Sequence, residues 1–225
     1  MKSSYITYNY GDLIKSLISI NQPKNIIEIG VLDGYSSLII ASTIKKLKLK
    51  SKFDAYDLFE NYQFNSSRYE DVSSLIKNFK LTKNINLYHG DFSNIYKNYK
   101  TKSIDFAHID ISNNGDTIEY FFKYYDRIMK QGSIVIFEGG SIFRDNVKWM
   151  KRYKKRKLNE AIHENKTIKK KYDFIILDKH PSMTIFYKKF QSYNKENIKL
   201  LNFKSEGKFK LGFIDIKTFK KRYID

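Results

Sequence analysis

Residues 26–37 read IIEIGVLDGYSS, an apolar run that contains one acid near its end and then turns through two glycines. The apolar run predicts a short buried strand, and Ser36 and Ser37 stand where the N-cap of a following helix belongs. Gly30 and Gly34 would let the backbone between these elements approach a ligand closely. The stretch therefore predicts the first strand–turn–helix unit of an α/β domain, with a ligand at its turn.

Glu28, at the tip of this strand, indicates which ligand the turn prefers. A phosphate site favours a helix N-terminus free of competing acids, and a dinucleotide site needs G-x-G-x-x-G, which this turn lacks. An acid at the strand tip favours a cationic ligand group instead. The alternative is a purely structural turn, because E-x-G-x-x-x-G also occurs by chance.

Short β-rich runs alternate with helical patterns through the first two thirds of the chain, which predicts an α/β fold with a mainly parallel sheet and helices on both faces. We expect strands at residues 26–29, 53–57, 85–89, 104–110 and 133–137. We expect helices around residues 12–20, 36–44, 71–80, 118–129 and 145–153, the fourth of them ending at a C-cap, Gly132.

Two further β-runs, residues 172–177 and 183–187, have only a short link between them. Such a link permits only an antiparallel pair, whereas an ordinary dinucleotide-binding fold would close with another crossover helix. Residues 191–225 show weak periodicity, and we predict no structure for them. We therefore treat 1–225 as a single domain with its core at about 8–190 and a C-terminal extension.

The composition indicates a folded domain. Of its 225 residues 41% are hydrophobic and 16% aromatic, too many for a disordered basic tail. The absence of cysteine excludes a disulfide scaffold, a thiolate zinc site and a cysteine nucleophile. Residues 1–9 are polar, and no stretch approaches the roughly 18 apolar residues of a membrane span, so we expect a cytoplasmic protein without a membrane span. The oligomeric state is left open.

The formal net charge of +18 is distributed unevenly along the chain. Residues 1–112 carry 15 bases and 11 acids (+4), whereas residues 113–225 carry 27 bases and 13 acids (+14). Coding bias toward lysine explains a uniform excess but not this asymmetry. The basic second half favours an anionic partner.

Acids recur at the tips of five consecutive predicted strands, at Glu28, Asp57, Asp91, Asp110 and Glu138. Ligands of open α/β sheets bind beyond the carboxyl ends of the strands, so the series indicates one shared site. An acid after the second strand can accept both hydroxyls of a ribose. Asp91 with the neighbouring Phe92 suits the amino group and ring face of an adenine.

With these residues and its closing hairpin, the chain resembles the class I S-adenosylmethionine-dependent methyltransferases over about residues 8–190. The nearest likeness is to small-molecule O-methyltransferases that modify antibiotic and sugar hydroxyls. The resemblance implies a Rossmann-like sheet of seven strands whose last strand is antiparallel. Carried over by position, it implies that the methionine end of S-adenosylmethionine lies at Glu28, Gly30 and the Gly34 turn, the ribose at Asp57, and the adenine at Asp91 and Phe92.

The resemblance also places Asp110 and Glu138 beside the transferable methyl group. Many relatives hold Mg²⁺ there with an Asp at the fourth strand tip and an Asp-Asp or Asp-Asn pair after the fifth, but here that pair is Glu138-Gly139. Asp110 and Glu138 with water would still suit a hard cation. The alternative is a metal-free mechanism in which one of these acids, or His180 in the last hairpin, is the general base. A turn residue beside Pro181 is the other interpretation of His180.

Gly139, Gly140 and Arg144 follow the fifth strand tip and are candidates for acceptor binding. The glycines suit a close approach of the acceptor, and Arg144 suits a carboxylate or phosphate on it; an ordinary surface loop is the alternative. Residues 148–157 then place seven bases around Trp149 and Tyr153. This pattern is typical of RNA binding or of a solvated helix face.

The sequence thus predicts methyl transfer to an oxygen of a small anionic or sugar-derived acceptor, aligned for in-line displacement. Methylation of RNA is a second hypothesis, based on the basic half of the chain. A relative that binds the cofactor or an acidic partner without turnover is a third.

Overall fold

A computed structural model describes residues 3–63 and 65–190 of the chain. The predicted extension, residues 191–225, lies outside the described residues. The predicted core at about 8–190 falls almost entirely within them.

Seven strands form one sheet in the order β3-β2-β1-β4-β5-β7-β6. The strands are β1 (Asn25–Ile29), β2 (Lys52–Asp57), β3 (Asn86–His89), β4 (Ile104–Ile109), β5 (Met129–Glu138), β6 (Tyr172–Leu177) and β7 (Met183–Lys188). Strands β1 to β5 pair in parallel, and β7 pairs antiparallel with both β5 and β6. The predicted Rossmann-like, mainly parallel sheet with an antiparallel last strand is confirmed.

Eight α-helices accompany the strands in the described part of the chain: the first precedes β1, and the other seven connect strands. They are α1 (Tyr10–Asn21), α2 (Tyr35–Lys46), α3 (Tyr69–Asn78), α4 (Gly115–Tyr120), α5 (Ile142–Asp145), α6 (Lys148–Arg152), α7 (Leu158–Glu164) and α8 (Lys166–Lys171). A 3-10 turn, Ser4–Ile6, precedes α1, and a π-helical turn, Phe121–Tyr125, extends α4. Within residues 3–63 and 65–190, every helix is too short or too polar to cross a bilayer.

Two apolar clusters cover the two faces of the sheet. One joins α1, α2 and α3 to the sheet, and Ile14 and Ile18 lie fully buried in it because their spacing places both on one face of α1. The other joins α4, α7 and α8 to the opposite face, with the aromatic residues Phe121, Phe137 and Phe186 at its centre. Because both faces are covered, the carboxyl edge of the sheet is where a ligand can enter.

The predicted helix over residues 118–129 ends earlier than its periodicity suggests. Its helical part stops at Tyr125, and Met129 already belongs to β5, where it pairs with Ile104. Gly132, expected as a C-cap, lies within β5 with a φ of +77°. The register between β4 and β5 shifts at this point, so the extra residues of β5 are taken up in an irregularity that a glycine accommodates.

The segment after β5 also differs from the prediction. In place of one helix over 145–153 there are two short ones, α5 and α6, and two unpredicted helices, α7 and α8, form the crossover to β6. The buried carboxylate of Asp145 accepts hydrogen bonds from the backbone N–H groups of Leu158 (2.9 Å) and Asn159 (2.7 Å) at the start of α7. This acid therefore ends one helix and caps another.

A substitution at Gly30 tests how tightly the central strand tips pack. A Cβ atom there would lie 1.9 Å from the Asp110 carbonyl oxygen, and the φ of +95° disfavours any L side chain. We expect Gly30→Ala to lower the free energy of unfolding in urea by about 2 kcal/mol or more. In the control Gly11→Ala, the new methyl group meets mainly the Tyr35 hydroxyl at the end of a movable side chain, so the loss should be clearly smaller. Equal losses would contradict this account of Gly30.

Candidate active site

The carboxyl ends of the parallel strands meet around a cavity of about 840 Å³. This volume is within the range of small-molecule sites, about 300–1,000 Å³. Four of the five predicted strand-tip acids line the cavity, namely Asp57, Asp91, Asp110 and Glu138. The structure therefore brings most of the predicted series together at one site.

The turn after β1 forms the part of the cavity predicted to hold the methionine end of the cofactor. Gly30 lines the cavity, and its missing side chain allows the backbone to lie against the Asp110 carbonyl. Gly34 has a φ of +83° and is the N-cap of α2. Ser36 and Ser37, predicted as the cap, lie inside the first turn of α2 instead, because the helix already begins at Tyr35. The turn is a close-approach cradle that a Cβ atom at Gly30 would fill, so it fits a small ligand.

The carboxylate of Asp57, predicted to hold a ribose, accepts hydrogen bonds from the protein at both of its oxygens. Its Oδ2 accepts hydrogen bonds from the backbone N–H groups of Val31 (2.7 Å) and Leu32 (2.9 Å). Its Oδ1 accepts from the Phe59 N–H (2.9 Å) and the Asn65 side-chain amide (3.0 Å). The carboxylate thus fixes the turn after β1, and contact with a ribose would be an additional role.

Asp91 and Phe92 line the cavity beside the end of β3. The Asp91 side chain accepts a hydrogen bond from the Ser93 N–H at 2.7 Å. Phe92 stacks on Tyr125, with ring centroids 5.1 Å apart and planes 11° from parallel. This stacking holds the Phe92 ring at the cavity wall, which is consistent with its predicted role at a flat base.

Glu28 lies beneath the cavity rather than in its lining. The side chain is fully buried, and its carboxylate accepts a hydrogen bond from Ser37 and contacts the ring Nδ1 of His108 at 2.9 Å. Both oxygens therefore have partners inside the protein. A direct contact of Glu28 with the methionine end stays a prediction, whereas its contact between β1 and β4 is present in the structure.

The end of the cavity predicted to bind the acceptor, here called the acceptor end, contains the carboxyl groups of Asp110 and Glu138 and the guanidinium of Arg144. Arg144 binds Glu138 in a bidentate pair, Nε to Oε1 at 2.7 Å and Nη2 to Oε2 at 2.9 Å. Burial, together with the nearby charge of Asp110, raises the pKa of Glu138 to about 7 despite this pairing. Burial likewise raises the pKa of Asp110 above its usual range. Carboxyl groups with raised pKa values beside a cavity suit proton transfer near neutral pH.

Two aromatic residues complete this end of the cavity, and sequence reasoning assigned neither to the site. The Trp149 ring lies under the Arg144 guanidinium at 5.1 Å, a cation–π contact. Tyr5, in the turn before α1, is 1% exposed and lines the cavity next to Asp110. The only sequence signal for Trp149 was its place between bases, and Tyr5 had none.

Three predicted catalytic or acceptor-binding residues lie outside the cavity lining. His180 is exposed in the β6–β7 turn. Gly139 and Gly140 are buried, with φ values of +100° and +111°, where the chain leaves β5. A Cβ atom at Gly140 would lie 2.0 Å from Thr184 Oγ1, so these glycines allow the chain to turn against β7. Their predicted roles therefore have no support from the lining of this cavity.

The donor set at the acceptor end does not fit a magnesium ion. Among residues 3–63 and 65–190, no group of three or more histidine or acidic side chains could hold a metal ion. Asp110 and Glu138 are the two predicted ligands, and Arg144 already engages both oxygens of Glu138. A guanidinium here supplies the positive charge that a cation would bring.

A family model for methyltransferase domains matches residues 27–138. This segment contains the cradle at Gly30 and the acids Asp57, Asp91, Asp110 and Glu138. The chain belongs to the class I methyltransferases. The expectation of an S-adenosylmethionine-dependent methyltransferase is therefore confirmed at the level of the family, and S-adenosylmethionine is its cofactor.

Solved methyltransferase structures share the fold. An O-methyltransferase from Bacillus cereus, in complex with SAH, is 20% identical with a TM-score of 0.56, over 81% of this chain and 81% of that one. The O-methyltransferase TomG from Streptomyces achromogenes, involved in tomaymycin synthesis and solved with SAM, is 15% identical with a TM-score of 0.58, over 81% and 80%. An SAH-bound methyltransferase from Podospora anserina is 14% identical with a TM-score of 0.57, over 84% and 80%.

Asp57 offers a test of what holds the turn after β1 in place. An asparagine there keeps only one acceptor oxygen, and its amide would face backbone donors. We expect Asp57→Asn to lower the free energy of unfolding by about 2–4 kcal/mol, because hydrogen bonds to a charged group contribute about 1.5–3 kcal/mol each. Differential scanning calorimetry and urea unfolding measure the loss.

The matched control for this test is Asp91→Asn at the next strand tip. That carboxylate accepts one backbone hydrogen bond, so its loss should be about 1 kcal/mol or less. A stable Asp57→Asn variant would show that the turn after β1 does not depend on the carboxylate.

Proposed function

We propose that this methyltransferase methylates an oxygen atom of a small acceptor that carries an anionic group, such as a sugar phosphate or sugar acid. The observation that carries the proposal is the acceptor end of the cavity, where Asp110 lies beside the Glu138–Arg144 pair. A base for a hydroxyl proton and a cation for an anionic group are thus present within one cavity.

The two carboxyl groups have different tasks in this proposal. Both oxygens of Glu138 bind Arg144, so Glu138 orients the guanidinium. Asp110 lines the cavity without an arginine partner of its own among the described residues, and burial raises its pKa above the usual range, which suits a general base. Asp110 therefore takes the proton of the acceptor hydroxyl.

Arg144 has donors left for an acceptor after it has bound Glu138. A guanidinium carries five N–H groups, and two of them point to Glu138. Trp149 supports the guanidinium from one face and limits its movement. The remaining N–H groups suit a carboxylate or phosphate on the acceptor.

The basic segment that follows strengthens the preference for an anion. Lys148, Lys151 and Arg152 lie exposed on α6, which also contributes Trp149 to the cavity wall. Their field would attract an anionic acceptor toward the cavity mouth, and salt would weaken this attraction. When bound, S-adenosylmethionine supplies an activated methyl group on a sulfonium, so the protein needs chiefly to align the acceptor and remove its proton.

The test combines cofactor binding with an acceptor panel. Calorimetry should show binding of S-adenosylhomocysteine to the folded protein. Radiolabelled methyl transfer is then measured to glucose 6-phosphate, glucuronate, glucose and a short single-stranded RNA. The proposal expects transfer to an anionic sugar and a KM that rises with salt. Transfer to RNA alone, or to glucose as well as to its phosphate, would contradict it.

The exposed bases also favour the RNA hypothesis. The exposed ring of Tyr153 lies 6.0 Å from the Arg152 guanidinium, an aromatic–cation pair of the kind that single-stranded RNA contacts. This pair lies on the surface, whereas Asp110 and Glu138 line a cavity whose volume suits a small molecule, so we favour the small acceptor. Nanomolar RNA binding with a steep salt dependence would favour RNA as the acceptor.

Asp110→Asn tests the proposed base. We expect kcat to fall about 10²–10⁴-fold, the usual contribution of a general base, with little change in the affinity for S-adenosylhomocysteine. Asp116→Asn, an exposed acid on α4, is the control and should keep wild-type kcat. A kcat for Asp110→Asn within a few-fold of wild type would exclude Asp110 as the base.

The pH dependence of turnover follows from the raised pKa values. Glu138 with a pKa of about 7, and Asp110 with a raised pKa, are protonated in acid and ionise as the pH rises. We expect kcat/KM to fall as the pH drops below about 7, measured from pH 5 to 9 in buffers of constant ionic strength. A rate that is flat down to pH 5 would contradict the assignment of these acids.

A further inference from the structure

A line of polar side chains runs beneath the floor of the cavity, from the turn before α1 to α2. The Tyr5 hydroxyl lies 3.0 Å from His108 Nε2, and His108 Nδ1 lies 2.9 Å from Glu28 Oε1. The other Glu28 oxygen accepts a hydrogen bond from the Ser37 hydroxyl. Tyr5, His108, Glu28 and Ser37, here called the buried relay, are all less than 2% exposed.

The hydrogen-bond partners determine which histidine tautomer this line favours. Because the Glu28 carboxylate can only accept a hydrogen bond from His108 Nδ1, that ring nitrogen carries the hydrogen. In a neutral ring, Nε2 then has a free lone pair and accepts the Tyr5 O–H. A second proton on Nε2 would produce an imidazolium already paired with a carboxylate. The buried relay can therefore take up one proton at His108.

Tyr5 connects the buried relay to the cavity. Tyr5 lines the cavity together with Asp110, and burial with the charges of Asp110 and Glu138 raises the pKa of this phenol well above its usual range. A phenol that stays protonated can pass a proton on without becoming a phenolate. Tyr5 lies between the proposed base and His108.

The burial of Glu28 and His108 costs free energy of folding, so the need to pack the core does not explain why these polar residues are here. A buried carboxylate–histidine pair loses its hydration, and apolar residues of similar size often stabilise a core as well or better. Here the pair occupies the two central strands directly below the cavity, with Glu28 opposite His108 in the register. Through Tyr5, the line also reaches Asp110, the proposed base, which must give up the acceptor's proton before the next cycle.

We propose that the buried relay receives the acceptor's proton from Asp110 through the Tyr5 hydroxyl and holds it on His108, opposite Glu28. This inference rests on the proposed function. The proton moves from the acceptor hydroxyl to Asp110. Asp110 then gives a proton to the Tyr5 oxygen as Tyr5 gives its own to His108 Nε2. Asp110 and Tyr5 return to their starting forms, and the imidazolium forms beside Glu28. After the methylated product has left, the proton returns through Tyr5 to Asp110 and from there to water in the cavity, which restores the neutral ring of His108.

Charged groups other than the relay face the same region. Asp110 contributes one negative charge, and Glu138 a second that Arg144 partly neutralises. The Tyr10 ring contacts Tyr5 edge to face at 5.9 Å, but the Tyr10 hydroxyl donates to the Lys179 carbonyl and does not join the relay. Tyr10→Phe is therefore a matched control for Tyr5→Phe.

The first arm of the test needs no acceptor. Nitrogen NMR of the histidine rings is recorded with S-adenosylhomocysteine present and absent, and the His108 signals are identified by their loss in His108→Gln. Tyr5→Phe should shift the Nε2 signal toward that of an unbonded acceptor, and Tyr10→Phe should leave it unchanged. Asp110→Asn should also shift this signal, but less in the Tyr5→Phe background. An equal effect of Asp110→Asn in both backgrounds would overturn the relay.

The second arm measures turnover on the best anionic sugar of the panel. Tyr5→Phe should lower kcat about 10-fold or more while the KM for S-adenosylmethionine stays unchanged. The acid limb of its pH profile should also move relative to that of Tyr10→Phe, because Tyr5→Phe removes a hydroxyl that acts on Asp110. A change in KM alone, or a profile identical to that of Tyr10→Phe, would overturn the relay.

The two proposals fail in different ways. If the wild type methylates no compound of the panel, the proposed acceptor class is wrong, and the NMR arm still decides whether Tyr5 couples Asp110 to His108. If the panel is methylated and Tyr5→Phe behaves as Tyr10→Phe, the function stands and the relay does not.

Discussion

The contact between Glu28 and His108 is the interaction on which the architecture of this methyltransferase most depends. It joins β1 to β4, the two central strands of the sheet, and both side chains are fully buried. Removal of one partner would leave the other polar group without compensation, a loss of about 3–5 kcal/mol for a buried pair. The order of the strands reverses between β1 and β4, so the contact lies beneath the point where ligands of such sheets bind.

The acids at the strand tips divide into two groups when their partners are compared. Glu28 and Asp57 have their oxygens bound by the protein, and they hold strands and a turn in place. Asp110 and Glu138 lie at the other end of the cavity with raised pKa values. Desolvation is the main cause for both, so the same burial that closes the cavity also prepares its bases.

Sequence reasoning predicted the sheet well because strand signals are local. Buried runs such as 26–29 and 53–57 are apolar and short, and the brief link at Pro181 requires an antiparallel pair. The end of the helix after β4 was wrong because Met129 pairs with Ile104, a contact that periodicity does not show. The helices α7 and α8 were missed because each spans only about two turns, and tertiary packing of a few buried residues stabilises them.

The site was predictable to the extent that topology alone determines it. Parallel strands place their tips at one edge, so the acids of the series came together without knowledge of side-chain contacts. Tyr5 and Trp149 depend on how the turn before α1 and helix α6 fold over that edge. Whether Gly140 faces a substrate or packs against Thr184 depends on β7, which follows more than 40 residues later in the chain. Contacts of this range leave no pattern in a single sequence.

The strand order has a consequence for how such an enzyme diverges. The part of the cavity predicted to bind the cofactor comes from turns of the first hundred residues, whereas Arg144 and Trp149 come from one later segment between β5 and α7. A lineage can therefore exchange or lengthen that one connection, and so acquire a new acceptor, without disturbing the turns that serve the shared cofactor. The residues for the cofactor can thus be inherited unchanged while the residues for the acceptor evolve separately.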